Sequence, residues 1–121
     1  MIKVKQLYKS FGEKKVLEGL DFTIKNGECV CIIGKSGIGK SILLKHIIGL
    51  MRPDIGEIWI NDQMINNLKL KELQEIRTRV GMVFQFGALF DFMNFIDNVS
   101  LPLKKLANFS DKDAIDNAKR A

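Results

Sequence analysis

The sequence predicts an α/β domain with an antiparallel β element on its N-terminal side, and three observations predict it. Apolar and polar residues alternate from Ile2 to Lys5 and again through Leu20, Phe22 and Ile24, the period of a half-buried strand. The run Cys29-Val30-Cys31-Ile32-Ile33 is apolar without alternation, as a central strand covered on both faces would be. A glycine-rich stretch, Gly34–Gly39, then passes directly into a helical pattern.

The opening strand leads through Leu7-Tyr8 to a reversal at Gly12-Glu13-Lys14-Lys15. The second strand, from Leu17, runs to Asn26-Gly27, a dipeptide that tolerates positive φ and favours a tight hairpin turn. After the glycines, Leu43, Leu44, Ile47, Ile48 and Met51 recur at helical spacing, predicting a helix over 40–51 that Pro53 stops. Glu57–Ile60 reads as a strand ended by Asn61-Asp62. Leu70, Leu73 and Ile76 among charged residues predict a surface helix over 68–79. Val80–Phe84 reads as a buried strand running into Gln85. A Phe- and Gly-rich loop and two helices follow, over 97–106 and 111–121, with Ser110 as the N-cap of the second.

Composition narrows the classes of function. The chain of 121 residues is 46% hydrophobic and 27% charged, enough for one globular domain. Its net charge of +5 is spread out, with ten basic and six acidic residues over 1–60 and nine and eight over 61–121. No basic tract stands out, so binding to nucleic acid is not expected. No apolar run approaches the roughly 20 residues that span a bilayer, and the N-terminus has no signal-peptide pattern. Cys29 and Cys31, two apart on one strand face, read as reduced, buried residues of a cytosolic protein.

Gly34-Lys35-Ser36-Gly37-Ile38-Gly39-Lys40-Ser41 fits the phosphate-loop pattern G-x-x-x-x-G-K-[ST]. Glycines let backbone N–H groups converge on an anion, and the helix that begins near Lys40 adds the positive end of its dipole. Lys40 is placed for the β and γ phosphates of a nucleotide, and the Ser41 hydroxyl for Mg²⁺. The four fixed positions match by chance in a chain of this length with probability on the order of 10⁻² to 10⁻³.

Beyond this loop, the whole chain resembles the ATP-binding subunits of ABC transporters. Phe11-Gly12, Gly27-Glu28, the segment Leu50–Ile58 and Val83-Phe84-Gln85 carry the likeness. The resemblance implies a P-loop NTPase of ABC type, its N-terminal portion with an antiparallel side sheet and the start of the helical subdomain. It implies ATP and Mg²⁺ as ligands: Phe11, or else Tyr8, stacking on adenine; Gly34, Ser36, Gly37, Ile38, Gly39, Lys40, Ser41 and Ile42 around the phosphates; and Ser41 with Gln85 on the metal. Lys40 and Gln85 are the implied catalytic residues. Ile42 stands where many relatives have Thr or Ser.

A narrower likeness lies in Gln85–Asp91, Asp97-Asn98-Val99 and Leu101-Pro102-Leu103. These resemble the ATPases of Mce-type lipid transport systems, the group that includes the MlaF and toluene-tolerance ATPases. That resemblance implies a head-to-tail dimer with a second ATPase subunit, integral-membrane permease subunits as partners, a place on the cytoplasmic face of the inner membrane, and a phospholipid or other hydrophobic substrate. The signature motif, the Walker B Asp-Glu and the switch histidine are absent from residues 1–121, and the helical pattern at Asn117–Ala121 has no terminating Gly or Pro, so an incomplete domain is expected. His46, the only histidine, is expected to be solvated or capping.

Overall fold

The computed structural model describes residues 1–84, 87, 89–106 and 109–120. Eight elements follow one another: β1 (Ile2–Phe11), β2 (Lys14–Ile24), α1 (Lys40–Ile47), β3 (Ile55–Ile60), β4 (Gln63–Met64), α2 (Leu70–Arg77), α3 (Phe95–Leu106) and α4 (Asp111–Ala118). The strands form one antiparallel sheet in the order β2-β1-β3-β4. The chain divides into two compact units, Met1–Leu73 and Gln74–Ala121.

The first unit is built on β1, which pairs with β2 on one side and β3 on the other. Val4 and Leu7 are both buried although they lie three apart, which in a regular strand would send them to opposite faces. A bulge reconciles them. Gln6 takes φ 44, and the register with both neighbours shifts between Val4 and Tyr8. Asp21 of β2 secures the bulge, accepting from the Gln6 backbone N–H at 3.0 Å and from its side-chain amide. Gly56 of β3 flanks the other side.

Helix α1 buries Leu43, His46 and Ile47, an i, i+3, i+4 stripe. It ends four residues short of the periodicity's limit. Gly49, at φ 68, donates to the His46 carbonyl while Leu50 donates to that of Lys45, the paired bonds of a Schellman motif. The turn at Asn61-Asp62 ends β3 as expected but also begins β4, whose two residues are too short to read from alternation.

Two expected central strands are corrected. Residues 29–33 and 80–84 are in no ladder; 29–33 are exposed throughout, Ile33 by 91%, and in 80–84 Val83 is exposed by 92% while Val80 and Met82 are half-buried. Cys29 and Cys31 are likewise free and exposed, not buried. Both runs are apolar, but burial of a central strand is conferred by neighbouring strands, and none pairs with these segments among the described residues. Asn26-Gly27 therefore turns the chain, with Glu28 N–H donating to the Lys25 carbonyl at 3.2 Å, without opening a hairpin.

In the second unit α3 and α4 pack together, and Ser100, Ala114 and Ala118 are buried. Asn94 caps α3 two residues earlier than the sequence suggests, its side chain accepting from Asp97 N–H at 2.8 Å and donating to the Asp97 carboxylate at 2.6 Å. Asn98 fixes the preceding loop by accepting from Phe90 N–H at 2.8 Å and donating to the Phe90, Met93 and Asn94 carbonyls. Ser110 caps α4 as expected, accepting from Asp113 N–H at 3.2 Å. No helix among the described residues is long and apolar enough to cross a membrane.

Candidate functional site

The loop 34–39 leaves the exposed segment 29–33 and enters α1 at Lys40. Its seat on the sheet is Gly39. At φ 110 this residue is the N-cap of α1, and a Cβ there would lie 2.8 Å from Val16 Cγ1 and 3.2 Å from the Val16 carbonyl oxygen. Only glycine lets the loop close onto β2 at this point. Ser36 and Gly37 form the exposed tip, and Ile38 folds back so that its Cγ2 would sit 3.1 Å from a Cβ on Gly34.

The electrostatics of the loop suit an anion. Lys40 Nζ donates to the carbonyls of Gly34 at 2.6 Å and Lys35 at 2.7 Å, which fixes the ammonium at the mouth of the loop. Helix α1 starts with no side-chain cap and no acidic residue in its first turn, so no group of the helix itself offsets the positive end of its dipole. Ser41 is exposed and Ile42 half-buried in that first turn. Beside the loop, Val16, Leu20, Ile33 and Leu43 help to line an apolar recess of about 260 Å³.

The two aromatic candidates differ. Tyr8 is 38% exposed, but its ring lies across Gly19 of β2, where a Cβ would meet the hydroxyl at 2.7 Å. Phe11, at the end of β1, is 46% exposed, with Lys9 Nζ 5.5 Å from its ring centroid. Gln85, together with Phe86 and Ala88, lies outside the described residues.

His46 is fully buried, which corrects the expectation that it is solvated or capping. Its Nδ1 lies 2.8 Å from the Ile42 carbonyl, and Nε2 has no hydrogen-bond partner among the described residues. Periodicity already placed residue 46 on the apolar face, one turn from Leu43, and that was the available signal. Replacing the imidazole by an apolar side chain removes a buried orphan nitrogen, so His46→Leu is expected to leave the free energy of unfolding in urea unchanged or raise it by up to ~1 kcal/mol. A loss above that would show that the imidazole is bonded through both nitrogens.

Sequence reasoning missed Asp54. Its carboxylate accepts from Lys9 Nζ at 2.6 Å and from Ser10 N–H at 2.7 Å, and its own N–H donates to the Tyr8 carbonyl at 3.0 Å. The Lys9 hydrogen bond, then that of Ser10, hold the carboxyl below its usual pKa. A Pro-Asp turn carries no sign of such partners.

A glycine-rich loop closed by a lysine at the uncapped start of a helix, on an α/β scaffold, defines the P-loop nucleotide-binding class. The chain belongs to the ABC transporter family, whose model matches residues 17–121. It is 47% identical over 104 residues to the probable ribonucleotide transport ATP-binding protein mkl of Mycobacterium leprae (strain TN), covering 86% of this chain and 30% of that protein. It is 42% identical over 105 residues to the intermembrane phospholipid transport system ATP-binding protein MlaF of Haemophilus influenzae, covering 87% and 40%. Among solved structures, the ATP-binding cassette MJ0796, a dimer in a post-hydrolysis state bound to ADP and Pi, superposes with a TM-score of 0.88 at 35% identity. That match covers 99% of this chain and 55% of the cassette, so the chain spans about half the length of its solved relative.

Proposed function

We propose that residues 1–121 form part of the nucleotide-binding domain of an ABC transporter ATPase and hold the phosphate side of one ATP site. The observation that carries this is the Lys40 ammonium, held by two loop carbonyls at the uncapped start of α1. The donor set fits a polyphosphate. Gly34, Ser36, Gly37, Ile38, Gly39, Ser41 and Ile42 surround the phosphates, and Lys40 supplies the cation. Among the described residues no group of three His, Cys, Asp or Glu could hold a metal ion, so Mg²⁺ would rest on Ser41, Gln85 and the phosphates themselves. Phe11 stacks on the base, a role supported by the engagement of the Tyr8 ring with Gly19.

ATP supplies the phosphoryl group whose hydrolysis drives transport in a complete transporter. The residues of this chain bind and orient it; activating water falls to an acidic residue that 1–121 do not contain. We assign the second ATPase subunit of a head-to-tail dimer and membrane permease subunits as partners, at the cytoplasmic face of the inner membrane. A phospholipid or other hydrophobic substrate is supported by the Gln85–Asp91 and Asp97-Asn98-Val99 phrases and by the likeness to MlaF. The greater identity to a protein named for ribonucleotide transport supports a second reading, the ATPase of another importer or exporter.

Equilibrium binding and turnover assays on the 121-residue chain test this directly. Saturable, Mg²⁺-dependent ATP binding without measurable phosphate release is expected. Steady turnover that requires Lys40 would show that the chain completes a catalytic site by itself and would overturn its assignment as a partial one.

A further inference from the structure

The β1–β3 ladder ends at the pair Tyr8↔Ile55, so among the described residues β1 has no strand beside it on that edge from Lys9 to Phe11. Asp54 takes the place of that strand. Its N–H donates to the Tyr8 carbonyl at 3.0 Å, and one carboxylate oxygen accepts from Ser10 N–H at 2.7 Å, continuing the ladder through a side chain. The other oxygen holds Lys9 Nζ at 2.6 Å, and that ammonium stands 5.5 Å from the centroid of the Phe11 ring. Three consecutive residues before Phe11 are thus tied to one aspartate in the connection between α1 and β3.

We propose that Asp54 is a positioning residue for nucleobase recognition. By anchoring Ser10 and Lys9 it fixes the end of β1 and sets the Lys9 ammonium against one side of the Phe11 ring, so that the opposite face is the one offered to a planar base. This rests on the reading that Phe11 stacks on adenine. The hydrogen bonds of Asp54 go to Tyr8, Lys9 and Ser10, so its effect is expected on the base half of the ligand. The carboxyl remains ionised throughout the physiological range, since its pKa lies below the ordinary carboxylate value.

The test is a calorimetric comparison of ATP with inorganic tripolyphosphate, both with Mg²⁺, on the wild-type chain, Asp54→Ala, Asp54→Asn, Phe11→Ala and the Asp54→Ala/Phe11→Ala double variant. Asp54→Ala is expected to weaken ATP roughly threefold to tenfold and to change tripolyphosphate less than about twofold. Asp54→Asn keeps an acceptor for Ser10 but loses the charge facing Lys9, and should fall between wild type and Asp54→Ala. The double variant should bind ATP no more weakly than Phe11→Ala alone, because Asp54 acts through that ring. Additive losses, or equal weakening of ATP and tripolyphosphate by either Asp54 variant, would overturn the inference. Phe11→Ala that leaves the ratio of the two affinities unchanged would overturn the stacking reading itself, and the inference with it.

Discussion

Gly56→Ala should cost about 3–5 kcal/mol of stability, the largest single-residue effect expected in the first unit. A Cβ at this position would lie 2.3 Å from the Gln6 carbonyl oxygen, 2.6 Å from that of Lys5 and 2.7 Å from the Gln6 carbonyl carbon. All three are backbone atoms of the strand that pairs with β3, so no rotamer change relieves the clash. The residue also has φ 105, which an L side chain rarely adopts. The outcome is a shift of β3 away from β1, with loss of the Lys5↔Glu57 and Tyr8↔Ile55 pairs on either side. Gly12→Ala is the control. Its φ is 59 but a Cβ there meets nothing within 4 Å, so the cost should stay near the ~1–2 kcal/mol of a left-handed backbone alone. Urea unfolding of the two variants separates the cases, and equal midpoints would show that β1 and β3 are farther apart at Gly56 than the sheet register places them.

Lys40→Met is expected to weaken ATP binding by roughly 30- to 150-fold while changing stability by less than ~1 kcal/mol. Methionine keeps the apolar stem that passes Gly34, where Lys40 Cδ would lie 4.0 Å from a Cβ, and removes only the ammonium. In the folded chain that ammonium is held by the carbonyls of Gly34 and Lys35, so the variant also leaves the loop without its internal tie. Two charge-assisted bonds to phosphate, discounted because Lys40 is only half-buried, are worth about 2–3 kcal/mol in binding. Competition with a fluorescent ATP analogue measures the change. A loss under threefold would mean that the loop amides and helix dipole hold the phosphates without the lysine.

The difference between these two sites shows what the sequence could convey. The loop's conformation was legible because the pattern Gly34–Ser41 answers to local requirements: glycine where the backbone takes positive φ and closes onto β2, lysine and serine at a helix start. Ser110 was legible for the same reason, since an N-cap is satisfied within three residues. The α1 periodicity was visible, but its end was not, because Leu50 and Met51 continue the apolar spacing past the Schellman turn at Gly49.

Features that depend on partners distant in the chain were hidden. The bulge at Gln6 needs Asp21 and Gly56, and the Asp54 anchor needs Lys9 and Ser10, neither of which any spacing rule connects. The burial expected for Cys29–Ile33 and for Val80–Phe84 failed on the same ground. A run of apolar residues records what a strand could bury, while its exposure is decided by which strands lie beside it. Roles carried by the family likeness occupy a third category. Gln85 was assigned from the order of elements alone, and it lies outside the described residues.

The Gly34–Ser41 loop is expected to bind a nucleotide through its phosphates. Displacement of a fluorescent ATP analogue from the wild-type chain by inorganic tripolyphosphate and by adenosine, each in the presence of Mg²⁺, tests it most directly. Tripolyphosphate should compete fully and adenosine by itself only weakly, because the loop amides, the α1 dipole and Lys40 all act on the phosphate chain. Full displacement by adenosine with none by tripolyphosphate would contradict the claim and place the binding energy on the base.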